Sequence, residues 1–208
     1  MKDIRGNVEN NIYLYKEKNY FQRFFGHLST VGKHRRCVRK ACFKMGLVWQ
    51  GLTHDLSKYS PTEFGLSVKY YSGKFSPNAV DKRLNGCSRA WLHHKGRNKH
   101  HLEYWIDTSI SRAEFVFGCK MPMKYLAEML ADRYAACVAY YKEDYSQSDA
   151  YDYFMMEKDK IIMNDESMAV MEKVLTIMKN EGEEASFAYM KKLLKKTKGL
   201  DYSADDLK

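Results

Sequence analysis

A chain of 208 residues with 45% hydrophobic and 14% aromatic content can bury a real core, which excludes a disordered segment. No run approaches the roughly 20 apolar residues of a bilayer span, and Met1–Asn10 lacks the apolar stretch of a signal peptide, so no membrane partner and a cytoplasmic location are expected. Five cysteines, an odd number without Cys-x-x-Cys spacing, argue against a zinc ribbon or disulfide framework, and the net charge of +9 is concentrated in residues 20–108, which carry 16 Lys and Arg against 5 Asp and Glu.

Few prolines and many Met, Leu, Ala, Lys and Glu predict an all-α protein. From about Leu28 to Gln50 the residues Val31, His34, Val38, Cys42 and Met45 recur at helical spacing, placing His34 on an apolar stripe. Ser60-Pro-Thr-Glu63 reads as a helix start, with Ser60 as cap, Pro61 at the first position and Glu63 closing a capping box. His54–Lys58 then falls in the turn before that helix or at the end of the previous one. Another helix runs through Ser88–His94 and breaks at Lys95-Gly96-Arg97-Asn98. A further helix follows Pro122, with Tyr125, Met129, Asp132 and Ala136 on one face. After Tyr145 three amphipathic helices are expected at 148–163, 166–180 and 184–197. In the second of these, Met168, Met171, Val174, Leu175 and Met178 form a packing stripe. The tail from Gly199 is polar and expected to fray. The predicted division is a helical domain over 1–145 with a helical extension over 146–208 packed on it.

The pair His54–Asp55 offers an imidazole nitrogen and a carboxylate oxygen to one metal ion. A buried unpaired carboxylate such as Asp132 takes a proton or finds a cation. Taken singly, Asp132 reads as the partner of an Arg or Lys, and His34 as a hydrogen-bonded core histidine. The basic excess around the histidines suggests an anionic ligand, either a phosphate ester or nucleic acid.

The order of these groups resembles the HD superfamily of metal-dependent phosphohydrolases. Thr30-Val-Gly-Lys-His34 followed by Val38 looks like its first metal-ligand helix. His54-Asp55-Leu-Ser-Lys58 looks like its His-Asp-x-x-Lys motif. Met121-Pro-Met-Lys-Tyr-Leu-Ala-Glu-Met-Leu-Ala-Asp132-Arg-Tyr looks like the helix of the last aspartate, in a pattern similar to the HD-GYP branch. His93-His-Lys-Gly-Arg-Asn-Lys-His-His101 lacks that branch's Gly-Tyr-Pro element. The doubled His-His instead resembles a small bacterial and phage family of HD-like proteins without an assigned reaction. The resemblance spans roughly residues 25–142.

It implies an HD-like helical bundle with added C-terminal helices, in which His34, His54, Asp55 and Asp132 hold one metal. A second ion, with Asp55 bridging, would use His94 and His101, which can share a helix face or meet across a short loop. His93 and His100 have the same spacing and stay open as alternatives. The implied cofactor is one or two divalent transition ions (Fe, Mn, Ni, Co or Zn) that turn bound water into a nucleophile, with Asp55 and Lys58 in catalysis. Lys58, Arg97 and Asn98 would bind the phosphate of a nucleotide or another small ester. Two other readings are a basic nucleic-acid-binding module stacking bases on Trp91, Trp105 and many tyrosines, and an HD-fold di-iron oxygenase.

Overall fold

The structure, a computed structural model, describes residues 13–110 and 115–207. Nine α-helices make up these residues' regular structure, apart from short 3-10 turns and one two-stranded hairpin. The all-α expectation holds. Among the described residues no helix is long and apolar enough to cross a membrane.

Helix α1, Tyr20–Met45, opens on a capping box in which the Asn19 and Gln22 side chains each accept the other's backbone N–H at 3.0 Å. It closes at Gly46, which takes the left-handed φ of 86° that glycine adopts without steric cost. The sequence expectation of one helix from Leu28 to Gln50 is thus wrong at both ends. The aromatic residues Phe21 and Phe25 face solvent and blur the apolar period, and Gly46 separates α1 from a second helix, α2, Val48–Thr53. The buried stripe of α1 is His27, Val31, His34, Val38, Ala41, Cys42 and Met45.

Gly51 seats α2 against α1: a Cβ there would lie 3.0 Å from Cys42 Cβ and 3.1 Å from the Phe43 ring. A bulkier side chain would push α2, and the His54–Asp55 turn behind it, away from α1. Gly51→Val is expected to lower stability by about 1–3 kcal/mol through overpacking, read as a lower urea midpoint at unchanged slope.

Helices α3 (Pro61–Tyr70), α4 (Pro77–Asn85) and α5 (Arg89–Lys95) follow. Strands β1 (Ile106–Thr108) and β2 (Val116–Gly118) pair antiparallel, Ile106 opposite Gly118. Neither α4 nor the hairpin was expected, since three to nine residues give too short a window for a period to register. The central helix α6, Met123–Tyr141, packs against α1 over the largest helix–helix contact of the fold. Helices α7 (Asp149–Glu157), α8 (Asp165–Glu181) and α9 (Glu183–Lys196) complete it.

One buried core crosses residue 145. It joins Val38, Leu126 and Leu130 to Phe154, Val174, Met178, Phe187 and Met190. Met171, Val174, Leu175 and Met178 of α8 are fully buried with Met168 packed beside them, so the methionine stripe is core. The tail does not fray as expected from Gly199. Pro122 offers α6 no side-chain cap, and the carbonyls of Leu200 and Gly199 accept from the N–H groups of Met123 and Lys124 in its first turn at 2.9 and 3.0 Å. Tyr202 is buried beyond them, its hydroxyl 2.6 Å from Ser167 Oγ.

Candidate metal centre

Four segments bring the chemistry together. His34 comes from the buried stripe of α1, and Asp132 with Glu128 one turn before it comes from α6. His54 and Asp55 leave the end of α2, and His94, His100 and His101 come from α5 and the loop after it. Arg35 fixes the α2 exit by donating from Nε to the His54 carbonyl at 2.7 Å and from Nη2 to the Leu52 carbonyl at 3.0 Å. Asp55 has φ 55°, a left-handed conformation uncommon outside glycine, in a residue only 1% exposed. Such strain persists where the surroundings impose it, and it turns the Asp55 carboxylate into the interior.

Two groups of donors share that carboxylate. On the Oδ2 side, His54 Nε2 lies at 3.3 Å and His34 Nε2 at 3.6 Å, and Asp132 Oδ1 is 3.0 Å from His34 Nε2 and 3.4 Å from His54 Nε2. On the Oδ1 side, His94 Nε2 lies at 3.3 Å and His100 Nε2 at 3.5 Å, with a nitrogen of His101 in the same group. Donors about 2.1 Å from one ion and 90–109° apart lie roughly 3.0–3.4 Å from each other, and these separations fall within or about 0.2 Å beyond that range, as the ligands of an ion would.

The Nε2 atoms of His34, His54, His100 and His101 and both Asp55 oxygens are buried without a hydrogen-bond partner. Lys58 Nζ contacts Asp55 Oδ2 as an ion pair, and Asp132 Oδ1 adds a second carboxylate, yet four imidazole Nε2 atoms remain without a hydrogen bond. Buried polar atoms are rarely left so, and a cation within each donor group would give these atoms a partner. The donor set therefore fits a metal ion.

The opposite edges of the rings are anchored. Glu128 Oε1 lies 2.9 Å from His54 Nδ1 and 3.1 Å from His100 Nδ1. Glu63 lies 2.8 Å from His94 Nδ1 and 2.6 Å from His93 Nδ1. Although burial opposes their ionisation, the neighbouring histidines hold both glutamates below the usual carboxylate range. Ionised carboxylates only accept, so each Nδ1 carries a proton, which leaves Nε2 as the ring nitrogen that can give its lone pair to a cation. A grouping of His54, His100 and Glu128 as one ligand set is for this reason better read as orientation than as ligation.

Burial likewise works against charge on Asp55 and Asp132. His54 and Lys58 nevertheless hold Asp55 well below its ordinary value, and His34 and His54 do the same for Asp132. These carboxylates in turn lift His54 well above its ordinary value against its own burial. The centre demands positive charge, which either protons or divalent cations supply.

All six expected metal ligands, His34, His54, Asp55, His94, His101 and Asp132, meet here. His100 joins them, while His93 stays outside as a partner of Glu63. His94 and His101 meet across a loop rather than along a helix face. Asn98 fastens that loop: its amide donates to Ser57 Oγ and to the His94 carbonyl, both at 2.8 Å, and Trp105 Nε1 donates to the Lys99 carbonyl at 2.8 Å. Asn98 is thus occupied structurally, and Arg97 is exposed. Lys58 is the expected phosphate cation that reaches the cluster.

Glu63 and Glu128 were not foreseen. Ser60 Oγ does accept the Glu63 N–H at 3.3 Å, but the Glu63 carboxylate is buried against histidines instead of closing a capping box. Four residues before Asp132 on one helix face, Glu128 carried a signal in the sequence.

The fold and site define an all-α protein with a buried histidine–carboxylate cluster suited to one or two metal ions. A family model matches residues 23–177, and the chain belongs to that family, described as a Family of unknown function (DUF5662). The match includes every residue of the cluster. No curated protein and no solved structure matches the chain.

Proposed function

We propose that the protein is a metal-dependent phosphohydrolase of HD type acting on a nucleotide or another small phosphate ester. The observation that carries this reading is the convergence of partnerless buried Nε2 and carboxylate oxygens on both sides of Asp55, in the chain order that resembles the HD superfamily. His34, His54, Asp55 and Asp132 would hold one ion, and Asp55, His94, His100 and His101 a second. Bound there, divalent ions supply Lewis acidity and a water acidic enough to ionise near neutral pH.

The chain's own residues do the rest. Glu128 and Glu63 keep the imidazoles in the tautomer that ligates. Asp55 faces both ion positions with one oxygen each. Lys58, paired to Asp55 and with its side chain 28% exposed, lies between the cluster and solvent. There its ammonium can neutralise a phosphate oxygen as charge builds on it. Burial of the cluster among α1, α6 and the loop after α5 strengthens each of these electrostatic contacts. For the nucleic-acid alternative, Trp91 meets His101 edge-on with ring centroids 5.0 Å apart and Trp105 meets Tyr125 at 5.8 Å, so both rings are partly engaged within the fold.

The reading is tested by phosphate release from a panel of nucleotides and simple esters, with untagged protein loaded in turn with Mn, Fe, Co, Ni or Zn. Ion-dependent turnover is expected, and Lys58→Ala should bind ions but lose on the order of 100-fold in kcat. A metal-loaded protein silent across the panel would overturn the hydrolase reading.

A further inference from the structure

We propose that the two ion positions load as one unit, coupled through Glu128. This inference rests on reading the cluster as a metal centre. His54 belongs to one ligand group and His100 to the other. Their Nδ1 edges end on the same Glu128 oxygen, at 2.9 and 3.1 Å, and their rings lie 4.5 Å apart. Their Nε2 edges face the two oxygens of one Asp55, at 3.3 and 3.5 Å. Each of these ligands is therefore clamped on both edges by a carboxylate that also serves the other position. Glu63 is different, since its histidine partners are His94, in one ligand group, and His93, in none.

The coupling follows from this sharing. An ion that takes the His54 Nε2 lone pair polarises the Nδ1–H, which tightens its bond to Glu128 and fixes that carboxylate. A fixed Glu128 fixes the His100 ring, and the same ion orients Asp55 so that Oδ1 faces the second position. The second ion meets ligands whose freedom is already lost, so it binds more tightly than it would to a loose site. Mutual repulsion of two dications opposes this. Asp55, Asp132, Glu63 and Glu128 surround the positions with enough negative charge to offset it.

The test titrates untagged, chelator-stripped protein with Co²⁺, counting ions by native mass spectrometry and following ligation by visible absorption. At one equivalent, wild type should be mainly ion-free and two-ion species. Glu128→Ala should instead accumulate the one-ion species and bind its second ion at least about 10-fold more weakly. Glu128→Gln keeps an acceptor oxygen and should restore the two-or-none pattern at lower affinity, a rescue that also answers any loss of folding in the alanine variant. A wild type that accumulates one-ion protein would overturn the coupling and leave the metal centre standing. An alanine variant that keeps the two-or-none pattern would remove Glu128 from it. A wild type that takes up none of Co, Mn, Fe or Zn would overturn the metal centre itself.

Discussion

Asp55→Asn is expected to abolish tight ion binding at both positions and to reduce any phosphohydrolase activity by at least about 10³-fold. Of the cluster's side chains, Asp55 is the one shared by both donor groups, one oxygen to each. Asparagine is the informative replacement because it tolerates the left-handed φ of 55° that Asp55 adopts. The backbone at the end of α2 is then kept while the charge is lost. In wild type, an ion held at 1,000 times its Kd adds about 4 kcal/mol to stability by mass action, or roughly 10 °C in Tm for a chain of this size. Melting curves with Mn²⁺ or Zn²⁺ and after chelation should show that shift in wild type and not in Asp55→Asn. An equal shift in both proteins would mean that the ions bind elsewhere.

The part of the centre that the sequence disclosed is the part whose residue types break a pattern. His34 interrupts the apolar stripe of α1, and Asp132 does the same on α6. Polar groups buried on helix faces need a partner, so both stood out, and His54–Asp55 stood out as adjacent donors. What stayed hidden depends on partners far apart in the chain. Glu63 bonds His93 and His94 across 30 and 31 residues, and Glu128 bonds His54 across 74. Nothing local distinguishes Glu63 from a helix cap, and the one local sign for Glu128 is its place one turn before Asp132 on the same helix. The choice among the four later histidines was equally non-local. The Asn98 amide and the Trp105 indole fold the loop so that His100 is buried beside His101, a placement that depends on residues outside the histidine run itself.

The helices were legible wherever they bury a regular stripe, as α8 does with its methionines. They were not legible where another segment supplies the missing half. The tail looked polar and free because its apolar anchors, Tyr202 and Leu207, are few and isolated, and the carbonyls that cap α6 belong to the backbone. The start of α1 was obscured for the opposite reason. Its first turns expose Tyr20, Phe21 and Phe25, and the Asn19–Gln22 reciprocal cap carries the signal that hydrophobicity lacks. The site combines both kinds of information. A centre built from α1, α6 and two turns lies within the same packing that buries Val31 and Val38 on one side and Met129 and Leu130 on the other, so its ligands lose solvent as the core forms.

Acid should destabilise the protein through a histidine outside the metal ligands. His27 is buried on α1 against Phe64 and Tyr71, with ring centroids 5.1 and 5.7 Å away. Burial, with a smaller contribution from Lys58, pushes its pKa down from 6.5 to about 4. Between those values the unfolded chain binds a proton that the folded one refuses, so stability falls as pH drops from 6.5 and the loss is complete below about 4. At 1.36 kcal/mol per unit the loss from this group is of order 3 kcal/mol. His101, depressed by burial and by His100 and His94, adds slope in the same direction. His54 is raised, so its contribution changes only above pH 6.5, and the lowered carboxylates act below their unfolded values of about 4. The difference between wild type and His27→Phe therefore isolates one group. Urea unfolding from pH 7 to pH 4, in chelator so that ion release does not contribute, should show a shallower acid limb in the variant by about 3 kcal/mol. Parallel limbs would mean that His27 is protonated in the folded protein at mildly acidic pH, and that the aromatic walls around it admit a charge.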